Sequence, residues 1–326
     1  MTKKIEKICG KNFEKLKKHL EKNPKIIVVI AENFDADAVG GSIAIFSALQ
    51  NAGFCCEISC ACDLEKFSFL KNSEKITKNF DEKIFDTAIF VDCGEKKMTG
   101  FFDAKPRLLS AEITKINIDH HASNDFFGDI NFVEKKMASA TMVVFELLKK
   151  MEWKISPTIA TALLAGIYGD TGSFMHQNTT PEVYFAAAEL MRAGANFSKI
   201  SKNLFRNYEI KTLKLWAKVL QNLHVTPDGA AIVGVEKSDY KKIGANREDL
   251  EGIIDFINSI PETKYSVLLS ETDDGNVKAS LRTRQPDVDV KALAEKFGGG
   301  GHVKASGFTI KKSHLQKDVK WKIVSD

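Results

Sequence analysis

The hydrophobic and polar positions in the first two-thirds of the chain alternate between short apolar runs and helical patterns. Residues 26–30 are all Ile or Val, which is typical of a parallel strand buried on both faces. Residues 41–52 carry apolar side chains at helical spacing and end at Gly53, which predicts a helix. The same patterns predict strands at 54–60, 87–91 and 116–118 and helices at 141–151, 157–168 and 181–193. This alternation predicts an α/β domain with a doubly wound, mostly parallel sheet.

The last third of the chain has a different pattern. A polar stretch after Gly194 leads into a helical segment near 210–220. From residue 223 onwards, strand patterns at 230–235, 265–270 and 277–281 alternate with helical patterns near 247–257 and 290–297. The 326 residues are also about twice the ~150 of a typical domain. We therefore predict an α/β domain at 1–195, a helical connector at 196–222 and a smaller mixed α/β domain at 223–326.

Composition adds little to this picture. Hydrophobic residues make up 44% and charged residues 28%, close to the average of globular proteins. The longest strictly apolar run, 26–31, is too short to span a bilayer, so we expect no membrane partner. The first twenty residues lack the apolar stretch of a secretory signal, and we expect a cytoplasmic protein. The six cysteines match no zinc-module spacing and are interpreted as reduced thiols.

The net charge of +4 comes from one segment. Residues 1–24 carry eight Lys against three Glu, so the rest of the chain has a net charge of −1. An amphipathic helix with a solvated lysine face explains this segment without a nucleic-acid partner. Long duplex nucleic acid is therefore not a predicted partner.

Acidic side chains follow the predicted strands repeatedly. They are Asp35 and Asp37 after the first strand, Asp92 after 87–91, Asp119-His120-His121 after 116–118, and Asp170 after the helix 157–168. Ligands of doubly wound sheets bind beyond the carboxyl ends of the strands, so we expect these groups to face one crevice. Taken alone, Asp35 and Asp37 could simply cap the next helix.

Several ionised carboxylates can share such a crevice only if cations neutralise them. Mixed Asp and His ligands suit manganese or a similar divalent ion. A carboxylate that bridges two ions about 3.5–4 Å apart is an arrangement used to hydrolyse phosphate esters. The joint occurrence of these residues therefore favours a metal site over helix capping.

The second domain contains a different set of phosphate-binding candidates. Arg282 and Arg284 follow a predicted strand, and arginine can bind a phosphate through two parallel hydrogen bonds. The glycines 298–301 precede His302 and Lys304, and glycines let backbone N–H groups approach a phosphate closely. Without this context the glycines would only end a helix. Together these residues favour phosphate and nucleotide binding.

These motifs together resemble the DHH family of phosphoesterases with a DHH-associated C-terminal domain, and within it the bacterial nanoRNases that also dephosphorylate 3′-phosphoadenosine 5′-phosphate. The family's motifs match Asn33, Asp35, Asp37, Ala38 and Gly40; then Val91 and Asp92; then 119–122; then 169–172; and last 298–307. The matches occur in family order and span residues 31 to 307.

The resemblance implies a role for each of these residues. Asp35 would hold one metal ion, Asp37, His120 and Asp170 would hold the other, and Asp92 would bridge the two. The catalytic residues would be Asp92 and His121, with His121 on the scissile phosphate and a hydroxide activated by both metals as the nucleophile. The substrate-binding residues would be Arg282, Gly299, Gly300, Gly301 and His302. Domain 1–195 would be catalytic and domain 223–326 would bind substrate.

One residue departs from the family pattern. Where the first motif begins with a metal-binding His, this chain has Ala31. The resemblance thus implies two divalent ions, with manganese as the best match, and predicts that one of the two positions is weakened. We interpret His176 as an ordinary loop residue and not as a metal ligand that replaces the missing His.

The sequence therefore predicts a metal-dependent hydrolase for phosphoester bonds in short nucleotides. The expected substrates are nanoRNAs from dinucleotides to about pentanucleotides, cleaved by exonuclease action, 3′-phosphoadenosine 5′-phosphate, or both. One alternative is a phosphodiesterase for cyclic or linear dinucleotides. Another is a nucleotide-binding sensor whose catalysis is weakened by Ala31. A homodimer is an open option for its assembly.

Overall fold

The computed structural model describes residues 10–32, 34–101, 103–205, 208–317 and 321–325. The chain divides into two units, Met1–Asn207 and Tyr208–Asp326. The five cysteines within the described residues are free thiols, and Cys9 lies outside those residues. Among the described helices, none combines the length and the apolar composition that crossing a bilayer requires.

The first unit is built on a five-stranded parallel sheet with the order β2-β1-β3-β4-β5. Its strands are β1 (Ile26–Ile30), β2 (Cys56–Ser59), β3 (Thr87–Val91), β4 (Thr114–Asp119) and β5 (Ile130–Val133). Its helices are α1 (Gly10–Leu20), α2 (Ala36–Asn51), α3 (Ala140–Lys150), α4 (Pro157–Asp170), α5 (Pro181–Arg192) and α6 (Phe197–Phe205). The predicted fold class is confirmed.

Apolar side chains cover both faces of this sheet. Val28, Ile89 and Ile116 point to one face, where they join a core with buried residues of the helices. Their strand neighbours Val29 and Phe90 point to the other face, where short 3-10 helices and loops supply the cover. Burial on both faces explains why the central strands read as unbroken apolar runs.

Three local predictions for this unit were wrong or incomplete. The helix predicted at 41–52 begins earlier, at Ala36, because the Asp35 carboxylate accepts hydrogen bonds from Asp37 N (2.7 Å) and Ala38 N (3.1 Å) and so caps it. Strand β5 was not predicted, since only two of its four residues are buried. Helix α6 lies in the stretch that looked polar, although Ile200 is fully buried.

Small residues let helices α2 and α4 approach each other at backbone distance. A Cβ added at Gly40 would clash with the carbonyl oxygen of Ala162. A Cβ added at Gly166 would lie 2.8 Å from the Asp37 carboxylate and would also clash with the Thr141 side chain. We call this contact between α2 and α4 the glycine seam, because only glycine fits at either position.

The second unit has a six-stranded sheet with the order β10-β11-β9-β8-β7-β6, in which only β7 and β8 pair in parallel. Its strands are β6 (His224–Val225), β7 (Ala230–Val235), β8 (Tyr265–Glu271), β9 (Val277–Arg282), β10 (Gly300–His302) and β11 (Ala305–Ile310), and a separate hairpin pairs β12 (Ser313–Lys317) with β13 (Trp321–Ser325). Its helices are α7 (Ile210–Gln221), α8 (Lys237–Ile243), α9 (Ile253–Ile257) and α10 (Val290–Glu295).

Two glycine-containing segments of this unit differ from the prediction. The helix predicted near 247–257 is split into the 3-10 turn Arg247–Leu250 and α9, because Gly252 between them has a φ of +87°. The glycine run 298–301 does not form a loop throughout, since Gly300 and Gly301 belong to the edge strand β10.

Candidate metal centre

The register of the parallel sheet places the acidic residues at the carboxyl ends of β3 and β4 side by side. Ile30 pairs with Val91, and Val91 pairs with Ile118, so the next residue of each strand lies at the same edge. Those residues are Ala31, Asp92 and Asp119. The structure therefore brings Asp92 and Asp119 together at the carboxyl edge of the sheet, as the sequence predicts.

Asp37 reaches the same edge from the first turn of α2. It is 1% exposed, and its carboxylate accepts hydrogen bonds from the backbone N–H (2.9 Å) and the hydroxyl of Thr141 and from the N–H of Ala140. These donors belong to the first turn of α3, whose positive dipole end also favours a negative charge. Asp37 is thus fixed in position by two helices.

His120 points one ring nitrogen at three carboxylates. Its Nε2 lies 3.5 Å from Asp170 Oδ2, 3.7 Å from Asp92 Oδ1 and 4.0 Å from Asp37 Oδ2. Its Nδ1 lies 3.3 Å from the carbonyl oxygen of Met137, which can only accept, so the proton belongs on Nδ1. This tautomer leaves the lone pair on Nε2, as a metal-binding histidine requires.

His121 belongs to a second, adjoining group. Its Nδ1 donates to Asp119 Oδ1 (2.9 Å) and lies 3.3 Å from Asp92 Oδ1. Asp119 is fully buried and also accepts from the N–H groups of His120 (2.7 Å) and His121 (3.2 Å) and from Asn124 Nδ2 (2.5 Å). Asp119 therefore orients His121 and is saturated with hydrogen bonds itself.

The electrostatics of the site differ from residue to residue. Burial, with the charges of neighbouring aspartates, raises the pKa of Asp37 and Asp92 to about 7 and that of Asp170 to about 9. Burial opposes the charge of Asp119, but hydrogen bonds from His121 and Asn124 hold its pKa below the usual range.

The two histidines differ in the same way. Burial lowers the pKa of His120, which keeps that ring neutral. The hydrogen bond to Asp119 and the close contact with Asp92 raise the pKa of His121 to about 11, which keeps that ring protonated. The site therefore combines one histidine whose pKa is lowered with one whose pKa is raised, beside three aspartates whose pKa values are raised.

The donor set fits a divalent cation. Single ligand atoms of Asp37, His120 and Asp170 lie within 4.8 Å of one another, and so do those of Asp92, Asp119, His120 and His121. Asp92 Oδ1 is buried and makes no hydrogen bond of normal geometry within the described residues. A cation at this place would neutralise the carboxylates and give that oxygen a partner.

Asp35 and Ala31 stand apart from these groups. Asp35 is exposed and caps α2, and it belongs to neither group of close ligand atoms, although its charge acts on Asp37 and Asp170. Ala31 is 2% exposed, and its methyl group packs in the apolar cluster on the far face of the sheet. Asn33 lies outside the described residues.

Sequence reasoning did not assign the residues that support the ligands. Thr141 holds Asp37, and Asn124 holds Asp119 while also donating to Asn117 Oδ1 (2.8 Å). A signal was present, because Asn124 lies three residues after the last histidine of the Asp-His-His motif and Thr141 begins a predicted helix. His176 Nδ1 lies 3.4 Å from the backbone carbonyl of Asp170, and its ring is in neither group of close ligand atoms.

The predicted substrate-binding residues lie in the second unit. Arg282 ends β9, is partly exposed, and its Nε lies 3.4 Å from Asp255 Oδ1. In the edge strand β10, which is separated from β9 by β11, Gly301 and His302 are exposed. Lys304 is engaged otherwise, because its ammonium donates to the carbonyls of Gln285, Pro286 (2.9 Å) and Val288 (3.0 Å). Lys304 thus stabilises a loop, which corrects its place in the phosphate-binding set.

Comparison with known proteins points in the same direction. Residues 25–167 match the model for "DHH family, N-terminal domain", and residues 230–321 match the "DHHA1 domain". The chain is 32% identical, over 87% of its own length and 83% of the relative, to the "Bifunctional oligoribonuclease and PAP phosphatase NrnA" of Thermus thermophilus. It is 30% identical to the "Probable bifunctional oligoribonuclease and PAP phosphatase NrnA" of Streptococcus mutans, over 59% of the chain and 61% of that protein, less than two thirds of its length.

A solved structure has the same fold over nearly the whole chain. It is an exopolyphosphatase-related protein from Bacteroides fragilis, with a TM-score of 0.84, 26% identity and coverage of 91% of this chain and 90% of that one.

Proposed function

Because the chain belongs to the DHH family of phosphoesterases, we propose that it hydrolyses phosphoester bonds in short nucleotides. The substrates would be oligoribonucleotides from dinucleotides to about pentanucleotides, 3′-phosphoadenosine 5′-phosphate, or both. The observation that carries the proposal is the convergence of Asp37, Asp92 and Asp170 on the unprotonated Nε2 of His120. The names of both relatives described above support the substrate class.

The proposal includes two divalent metal ions, for which manganese suits the mixed nitrogen and oxygen donors. Asp37, His120 and Asp170 would hold one ion, Asp35 the other, and Asp92 both. When bound, such ions polarise a phosphoester and supply an activated water at neutral pH. The Asp35 position would be the weaker one, because Ala31 offers no ligand and its methyl group packs among apolar side chains.

Residues of the chain itself would orient and neutralise the substrate. A protonated His121, held by Asp119, presents a positive charge next to Asp92, where a phosphate oxygen would lie. This contact would orient the scissile phosphate and stabilise the charge that develops on it. Asp119 serves as a positioning residue in this scheme, because its interaction with the substrate runs only through His121.

The second unit would hold the remainder of the substrate. Arg282, Gly299, Gly300, Gly301 and His302 would bind a terminal phosphate, and the position of β10 at an open sheet edge supports backbone approach. In this scheme residues 1–195 form the catalytic domain, 196–222 the connector and 223–326 the substrate-binding domain. Cytoplasmic localisation stays part of the proposal.

A homodimer is also part of the proposal, and helix α5 supports it. Val183 and Leu190 pack inward, whereas the opposite side exposes Tyr184 (54%), Phe185 (64%) and Met191 (53%). Tyr184 and Met191 are spaced at i and i+7, the repeat of helix-to-helix packing. A second copy of this helix would bury these side chains, and light scattering of the purified chain tests that expectation.

A nucleotide-binding sensor is the competing function that an observation favours, since Ala31 removes one ligand. The test is turnover of a dinucleotide, 3′-phosphoadenosine 5′-phosphate and a cyclic dinucleotide by protein stripped with a chelator and reloaded with manganese. Hydrolysis of either of the first two supports the proposal. Preference for the cyclic substrate would support the phosphodiesterase alternative, and binding without turnover would support the sensor.

A further inference from the structure

The backbone turns sharply at Asp92, directly after β3. Asp92 has a φ of +56°, in the left-handed region that residues other than glycine rarely adopt. Val91 packs on the helix-covered face of the sheet, so an extended residue 92 would point to the opposite face. Ala31, at the same level of the neighbouring strand, does pack in the apolar cluster on that face. The turn at Asp92 therefore directs its carboxylate away from that cluster and towards His120 and His121.

Asn117 supports the chain directly after this turn. It is fully buried in the middle of β4, between Ile116 and Ile118, which pack on the helix-covered face. Its Nδ2 donates to the carbonyl oxygen of Cys93 (2.8 Å), the residue that follows Asp92. Asparagine is depleted in strands, and burying its amide is unfavourable unless hydrogen bonds satisfy it. The strand alone would favour an apolar residue here, so the amide is explained by its bond to the turn.

The backbone holds the two sides of the turn but not the Cys93 carbonyl. The N–H of Asp92 donates to the carbonyl of Ile118 (2.9 Å), and the N–H of Asp125 donates to that of Gly94 (3.1 Å). Within the described residues, no backbone N–H donates to the carbonyl of Cys93. Its hydrogen bonds come from asparagine side chains, which makes those side chains the support of this peptide group.

Asn124 links the same carbonyl to a carboxylate of the metal centre. Its Nδ2 lies 2.8 Å from Asn117 Oδ1, 2.5 Å from Asp119 Oδ2 and 3.3 Å from the carbonyl oxygen of Cys93. Two amide hydrogens serve three acceptors, so the longest of these contacts, the one to Cys93, is the weakest. The Asn117 amide is therefore the main donor to the turn, and a change at Asn117 leaves the Asp119 contact in place.

We propose that Asn117 is a positioning residue of the metal centre, which holds the left-handed turn at Asp92 and so directs the Asp92 carboxylate at the cation. The inference rests on the proposed function for the cation and goes beyond it in assigning a role to a residue of the sheet. Asn117 acts through the backbone of Asp92 and Cys93 alone. A left-handed conformation at a residue other than glycine persists only while its surroundings enforce it, so loss of the amide should let the turn relax.

The experiment makes two measurements without substrate on the wild-type chain, Asn117→Val and Asn117→Ser. The first is the manganese affinity of chelator-stripped protein, measured by calorimetry well below the Tm. The second is the crystal structure of each metal-free chain. Valine is a good strand former on an apolar face, and serine is the polar alternative if the valine variant does not fold.

Asn131→Ala is the matched control. Asn131 pairs with Asn117 in the adjacent strand β5, and its side chain bonds to the backbone of Gly128 instead (3.1 and 2.6 Å). Its loss therefore removes a comparable set of hydrogen bonds without touching the turn at Asp92. Asn131→Ala should lower the Tm and keep both the manganese affinity and the Asp92 geometry of the wild type.

We expect both Asn117 variants to weaken manganese binding about 10- to 100-fold, the range for residues that orient metal ligands. In their crystal structures the φ of Asp92 should leave the left-handed region, and Asp92 Oδ1 should lie farther from His120 Nε2 than the 3.7 Å of the wild type. A merely structural role for Asn117 would lower the Tm only, because calorimetry below the Tm measures the folded chain.

Wild-type manganese affinity in both Asn117 variants would overturn the inference. It would also be overturned by an unchanged turn at Asp92 in the variant crystals, since Asn117 would then not hold it. Failure of the proposed function is distinguishable, because it appears as absent hydrolysis of a dinucleotide by the wild-type chain with manganese. If the wild-type chain did not bind manganese, the metal-free crystals would still decide whether Asn117 holds the turn.

Discussion

Replacing Ala31 with His tests whether the missing ligand position is closed by packing. Ala31 is 2% exposed and belongs to an apolar cluster that includes Val29, Phe90 and Phe101. Extra volume in such a cluster costs about 1–3 kcal/mol, and burying unpartnered ring nitrogens costs a further ~1–3 kcal/mol. We therefore expect Ala31→His to lower the stability of the metal-free chain by about 2–6 kcal/mol.

The assay is thermal unfolding in chelator and in manganese. A domain of 150–250 residues loses about 2–4 °C of Tm per kcal/mol, so the Tm in chelator should fall by at least ~4 °C. Ala31→Val adds volume without a ligand and is the matched control. In manganese, Ala31→His should regain stability and show a larger metal-induced rise in Tm than wild type, because tighter binding to the folded state raises its stability.

Two results would refute this reasoning. An unchanged Tm of Ala31→His in chelator would mean that the position is not packed closely. An equal manganese-induced rise in wild type, Ala31→Val and Ala31→His would mean that an imidazole at residue 31 does not reach a metal ion.

Three further predictions concern the metal centre and the phosphate anchor. Asp92→Asn should reduce manganese-dependent dinucleotide hydrolysis by more than ~100-fold, because residues that only hold metal ligands in place already contribute 10- to 100-fold. Full activity of the wild-type chain in excess chelator would contradict the metal mechanism. In chelator, the Tm should fall as the pH rises from about 4 through 7. The pKa of Asp37 and Asp92 is raised to about 7, so the folded state binds more protons than the unfolded state in that range. The lowered pKa of His120 acts in the opposite direction but is one group against two, and a Tm that rises over this range would be evidence against the buried charges. Arg282→Ala should depress dinucleotide turnover about 10- to 150-fold, from a charge-assisted contact of about 1.5–3 kcal/mol, and spare a nitrophenyl phosphodiester, with exposed Arg284→Ala as control; parallel loss of both activities would mean that Arg282 serves the fold.

The positions of the acidic residues could be predicted from the sequence because parallel strands bring their carboxyl ends together. Asp92 and Asp119 follow adjacent strands in register, so a correct strand assignment places them side by side. Asp35 caps helix α2, which is the role that the residue suggests when it is considered alone. Its charge also acts on Asp37, so the same side chain can cap the helix and contribute to the metal centre.

Other features depend on contacts between distant residues. The tautomer of His120 is set by the carbonyl of Met137, seventeen residues away, and no local pattern reveals that hydrogen bond. The edge strand β10 forms because Gly300 and Gly301 pair with β11, although a glycine run alone favours a loop. The engagement of Lys304 with three carbonyls is likewise a product of the folded loop.

The glycine seam has a consequence for how this centre can vary and fail. Asp37 and Asp170 lie on α2 and α4, and backbone contact at Gly40 and Gly166 fixes how far apart those helices are. At Gly40 and Gly166 no side chain stands between the helices to be exchanged for a larger or smaller one, so mutation at these two positions cannot tune the spacing of the carboxylates gradually. Substitutions in loops and in the second unit can change substrate specificity without moving the helices. A substitution that changes the spacing of Asp37 and Asp170 also disrupts the packing of α2 against α4.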